Sequence, residues 1–193
     1  MRILFLFCAL FCAADCFAAV GCDLNDPDRD INRLFPGSSG YKTVYLSVKT
    51  PEMLARIEKR LGDKFHGLYE NIGVPYTLYE IYRDKEKIGY VHGVNQKGDY
   101  GGIQVFLALD PAGTVKAFYI QKLTSRTAKE LRSKEFAAQF EGLSLKNFRD
   151  YDPLSGKAAP VKNPASQPGG DFLHVLRAVK KNLILMDEFV FSK

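Results

Sequence analysis

The chain has 193 residues, with 27 Lys and Arg against 22 Asp and Glu and a formal net charge of +5. That length suits a single domain with a substantial core. The basic residues are spread along the chain, which excludes the concentrated positive stripe that nucleic-acid binding requires.

The first residues carry the parts of a secretory signal peptide in order. Arg2 is the positive start, residues 3–14 form an apolar run too short to anchor in a bilayer, and Ala18-Ala19-Val20-Gly21 is a small-residue cleavage region. Residues 1–21 are therefore expected to direct export to the periplasm or its membrane surface. All four cysteines, Cys8, Cys12, Cys16 and Cys22, lie at or before position 22. After cleavage at most Cys22 remains, so no intramolecular disulfide can form. Ala19-Val20-Gly21-Cys22 is similar to a bacterial lipobox, in which the cysteine is acylated and becomes a membrane anchor. Cleavage after Ala18 or Ala19 is the alternative and leaves Cys22 as a free thiol.

Asp26-Pro27 reads as a helix cap with proline at the first position, followed by the apolar face of Ile31, Leu34 and Phe35. Residues 41–49 alternate like a strand. Thr50-Pro51 opens a second helix, with Leu54, Ile57 and Leu61 inward and Gly62 as its stop. Residues 22–75 thus form a preface to the main sheet. Strands follow at 76–82 and 87–94 around a turn at 83–86, then at 103–109 and 114–123 around Asp110-Pro111-Ala112-Gly113. A helix is predicted over 126–140, with Leu131, Phe136 and Phe140 on one side. Residues 150–170, rich in Pro, Gly, Ser and Ala, read as a loop. Asp171 caps a last helix carrying Phe172, Val175, Leu176, Val179 and Leu183 at helical spacing, and 187–193 reads as a short strand. The fold class is α+β: an antiparallel β-meander packed against helices, with residues 76–193 and the preface forming one globular unit.

Few residues carry chemistry by spacing. His66, His92 and His174 are scattered without metal-ligand spacing, so no metal site is expected, and His92 reads as a half-buried strand residue. No arrangement suits a hydrolase triad. Tyr100-Gly101-Gly102 opens a strand, where two glycines permit either a bulge or close approach of backbone to a ligand. Thr124 or Ser125 is expected to cap the following helix, whose N-terminus, with Arg126 beside it, would suit a phosphate.

Taken in order, Tyr100-Gly101-Gly102, Asp110 with Gly113, Lys122-Leu123-Thr124-Ser125, Phe136-Ala137-Ala138-Gln139-Phe140-Glu141-Gly142 and the helix containing Arg177-Ala178-Val179-Lys180 resemble the FMN-binding domain family. The resemblance covers residues 88–185. Members of that family serve as periplasmic flavoprotein subunits of ion-translocating membrane redox complexes or as exported lipoproteins. It implies FMN as cofactor, electron transfer as function, membrane redox subunits as partners, and Tyr100, Gly101, Gly102, Thr124, Ser125 and Arg126 as binding residues. Ser166 falls where the family links FMN phosphate to a hydroxyl. Pro164 stands where the family has a glycine, which argues against a covalent link at Ser166. A flavin-free binding or assembly protein of the same fold is the alternative.

Overall fold

The proline-capped helices form where the sequence places them. The computed structural model describes residues 22–67, 69–165 and 170–192, so residues 1–21, expected to be a signal peptide, and Ser166 lie outside the described residues. Helix α1 (Pro27–Leu34) starts at Asp26, whose carboxylate accepts the Arg29 amide at 3.1 Å. Helix α2 (Pro51–Leu61) starts at Thr50, whose hydroxyl accepts the Met53 amide at 3.2 Å. It stops at Gly62, whose left-handed φ of 79° turns the chain out of the helix.

Five antiparallel strands form the sheet in sequence order: β1 (Gly40–Ser47), β2 (Pro75–Arg83), β3 (Glu86–Gly98), β4 (Gly101–Leu109) and β5 (Val115–Lys122). This is the expected meander with one more strand. Rather than standing before the sheet, residues 22–75 contribute β1 as an edge strand, paired with β2 from Gly40↔Tyr82 to Ser47↔Pro75. The Asp110 turn closes β4 onto β5: its Oδ1 accepts the amides of Ala112 at 2.9 Å and Thr114 at 2.8 Å.

Alternation along the strands builds two cores, because successive side chains leave opposite faces of a sheet. Tyr76, Leu78, Val94, Val105, Leu107 and Phe118 face the larger core. There they meet α2 and the last helix, α5 (Phe172–Met186). Tyr79, Ile81, Val91, Phe106 and Ala108 face a smaller cluster closed by Cys22, Leu24, Ile31, Leu34 and Phe35. Burial on both faces explains the continuous apolar run of β4.

Three local expectations are corrected. The helix predicted over 126–140 is two short helices, α3 (Ala128–Leu131) and α4 (Lys134–Ala138). Ser133 adopts an extended conformation and its hydroxyl accepts the Phe136 amide at 3.1 Å, so it caps a new helix instead of continuing the old one. Beyond α4, Phe140 stacks on Phe118 of β5 with ring centroids 4.2 Å apart. The tail is no strand: Asp187–Phe191 extends α5 as a π-helical turn, held by Arg60, which pairs with both Asp187 and Glu188. His92, expected to be half-buried, is fully buried.

Candidate functional site

Strand β3 runs on to Gly98, which pairs with Gly101 across a two-residue turn made of Asp99 and Tyr100. This hairpin tip meets the N-terminus of α5. The Asp99 amide donates to Asp171 Oδ1 at 2.7 Å, and His174 Nε2 lies 3.1 Å from Asp99 Oδ1. Gly98 makes the approach possible, since a Cβ there would strike Asp171 Oδ1 and the Ile103 side chain. Asp171 is wholly buried, and among the described residues its Oδ2 has no hydrogen-bond partner. A buried acceptor left so costs about 1–3 kcal/mol, which an unrelieved fold seldom tolerates.

A cavity of about 650 Å³ opens beside this junction. Its walls are Lys97 and Asp99 of the hairpin, Asp63 and His66 after α2, Pro153 and Leu154 of the long loop, and Leu173 and His174 of α5. Arg177 also lines it, one helical turn beyond His174. Its guanidinium is bound on several sides: Nε donates to Asp63 Oδ2 at 2.6 Å and Nη1 to Glu70 Oε1 and Gln96 Oε1, each at 2.7 Å.

That network continues inward. Glu70 also accepts from Lys181 Nζ, which donates in addition to the Asn95 carbonyl at 2.6 Å. Asn182 bridges to β3: its Oδ1 accepts from His92 Nδ1 at 2.9 Å and its Nδ2 donates to the His92 carbonyl at 2.8 Å. Burial alone would push the Glu70 carboxyl up; the Lys181 charge and the Arg177 hydrogen bonds and charge outweigh it and hold it at about 2. The carboxylate is thus ionised and locks the base of the cavity to α5.

None of Tyr100, Gly101, Gly102, Thr124, Ser125 and Arg126 is in the cavity wall, though Tyr100 adjoins Asp99 and Ser125 lies against Gly170, both of which are. The Arg126 guanidinium lies 5.8 Å from the Tyr100 ring centroid, within cation–π range. Ser125 Oγ and Thr127 Oγ1 are 3.3 Å apart and lie against Gly170, where an added Cβ would come within 2.9 Å of Thr127 Oγ1. Gly101 has φ 134° and open space around it, so its role is the hairpin conformation. Gly102 faces the Tyr69 hydroxyl, 3.4 Å from where a Cβ would sit. Thr124 is exposed. The helix-capping expectation for Thr124 or Ser125 is corrected: Thr127 holds the cap position, and Ser125 Oγ accepts the Thr127 amide at 3.4 Å. With four residues, α3 carries too little dipole to act as an anion site.

Cys22, the lipidation candidate, packs in the smaller core at 1 % exposure, and burial pushes its thiol well above the ordinary range. Sequence reasoning missed the buried ion network and the meeting of Asp99, Asp171 and His174. The one available signal was Arg177, Lys180 and Lys181 lying among the apolar positions of a helix. No protein-family model and no curated protein matches the chain.

Proposed function

We propose that the chain is an exported FMN-binding-like domain that serves as an electron-transfer or accessory subunit beside a bacterial membrane redox complex. The supporting observation is the convergence of Tyr100, Ser125, Arg126 and Gly170 next to a cavity of about 650 Å³. That volume lies within the usual range for a small-molecule site. Pro153, Leu154 and Leu173 offer apolar surface to a flat ring. Arg126, which has no carboxylate partner among the described residues, and the hydroxyls of Ser125 and Thr127 offer a cation and donors to a phosphate. Gly170, with φ 79° and no Cβ, lets the backbone pass close to those hydroxyls. When bound, FMN supplies the redox chemistry. The chain's part is to bind, orient and shield it, with no general acid or base required.

A second reading, a flavin-free binding or assembly subunit of the same fold, is favoured by one observation. The N-terminus of α5 is already occupied by a buried carboxylate, Asp171, which would repel a phosphate placed there. The visible spectrum of the secreted protein from its natural host separates the two. A flavin absorbance released into the supernatant by acid supports the first reading, and a yellow pellet would add a covalent link, which Ser166→Ala should abolish. A colourless protein sinks the electron-transfer reading and leaves the second.

A further inference from the structure

We propose that Asp99, Asp171 and His174 bind a divalent transition-metal ion, of which Zn²⁺ best suits the ligand set, at the edge of the cavity. Asp171 and His174 are three residues apart at the start of α5, so they share one face of the helix. The β3–β4 turn brings Asp99 to that face, held by the hydrogen bond its backbone N–H donates to Asp171 Oδ1. One carboxylate oxygen from each Asp and a ring nitrogen of His174 all lie within 4.8 Å of one another. Ligands about 2.0–2.2 Å from a zinc ion are separated by roughly 3–4 Å, so small side-chain rotations close the shell.

Asp171 supplies the independent reason for a cation. The residue is fully buried, its Oδ1 is engaged by the Asp99 amide, and its Oδ2 has no partner among the described residues. Neither does a cationic side chain pair with it there. Arg177, a cation in the cavity wall, is committed to Asp63, Glu70 and Gln96. A bound metal ion would coordinate the stranded oxygen and neutralise the carboxylates together.

The ligand chemistry selects the class of ion. Two carboxylates with one imidazole suit Zn²⁺ and its transition-metal neighbours, whereas Ca²⁺ prefers an all-oxygen shell of six or more ligands. Asp99 and His174 are 47 % and 38 % exposed at their side chains, so the remaining coordination positions open to the cavity and to water. The inference does not depend on the flavin, because every ligand comes from this chain.

The test is titration of the chelator-treated secreted protein with Zn²⁺ by calorimetry, with a Ca²⁺ titration alongside. One equivalent of Zn²⁺ is expected to bind saturably, and Ca²⁺ is not. Since loss of an outer-shell partner alone weakens metal sites by about 10–100-fold, Asp99→Asn and His174→Ala should each weaken binding by at least that factor. Both side chains are part-exposed, so these variants should keep the parent circular dichroism. His66→Ala, a cavity-wall change outside the cluster, should bind like the parent. No saturable Zn²⁺ binding, equal affinity in Asp99→Asn and His174→Ala, or loss in His66→Ala would each overturn the site. A colourless protein that binds Zn²⁺ would leave this inference standing while the flavin reading fell.

Discussion

On one face of the sheet, α5 carries Arg177, Lys181 and Asn182 into the core, where Glu70, Gln96 and His92 meet them. On the other face, Cys22, Leu24, Ile31, Leu34 and Phe35 cover Tyr79, Ile81, Val91, Phe106 and Ala108 with an almost wholly apolar layer. Both faces exclude water, but they are held differently. Apolar packing is tolerant in direction and insensitive to pH. A buried ion network is costly to desolvate and adds little net stability over an apolar equivalent, yet it fixes geometry, and losing one partner is severe. The polar seam runs from the interior to Arg177 in the cavity wall, so the face that spends its interior on charge is the face that positions the site.

The largest effect should come from breaking that seam. Glu70→Ala strips two buried cations of their shared carboxylate and is expected to cost about 5 kcal/mol in a denaturant titration. Replacing Glu70, Arg177 and Lys181 together by Leu, Leu and Met should recover most of that loss while removing the Arg177 guanidinium from the cavity wall. If the triple variant were less stable than Glu70→Ala, the seam would be a net source of stability and the contrast between the faces would fail.

On the apolar face, Phe106→Ala should cost about 4 kcal/mol, through lost transfer energy and an unfilled cavity. Its stability difference from the parent should stay the same from pH 7 to pH 4, in contrast with the seam.

Acid should act through the seam. Burial and, secondarily, the Lys181 charge draw His92 down to about 4 despite its bond to Asn182, against an ordinary value of 6.5. Glu70 is held at about 2 against 4.5. Each group binds fewer protons when folded than when unfolded, so stability falls as pH falls through its window. The His92 contribution is complete above pH 6.5 and lost toward pH 4; that of Glu70 is complete above pH 4.5 and lost toward pH 2. By the 1.4 kcal/mol per unit conversion each is on the order of 3 kcal/mol. Thermal midpoints of His92→Gln should lack the upper part of this acid dependence; an unchanged pH profile would remove His92 from the account.

Smaller effects probe the apolar face at its start. Cys22 should resist thiol reagents in the native protein and react on denaturation, because the buried, protonated thiol is neither accessible nor nucleophilic. A chain with no titratable thiol even when unfolded, and a mass increased by acyl chains, would show lipidation instead. Cys22→Ser should cost about 2 kcal/mol by burying a hydroxyl in an apolar cluster.

Much of the scaffold was legible in sequence because its signals are local. Pro27 and Pro51 behind Asp26 and Thr50, the Asp110–Gly113 turn and the alternation of strands each fix a few neighbouring residues without help from the rest of the chain. The errors fell where local signals were weak or divided. Ser133 could sit inside a helix or cap one, and in the fold it is extended and caps α4 through the Phe136 amide. Residues 41–49 were recognisable as a strand, but only pairing with β2 made β1 part of the sheet.

The candidate site was much less legible. Tyr100 and Arg126 are far apart in sequence yet meet at 5.8 Å, and Ser125 lies against Gly170, contacts that no local pattern marks. The three residues of the Asp99, Asp171 and His174 cluster carry no mutual spacing that marks a site, because a hairpin tip and a helix start bring them together. By itself the sequence determined the strand and turn order, the α+β class and the restriction of cysteine to the first 22 positions. These follow from periodicity, turn chemistry and composition. Only the tertiary structure decided that three charged residues of the last helix lie in the core and that Asp171 keeps an oxygen without a partner. Burial and pairing depend on which distant segments cover a residue, and a local pattern does not encode that.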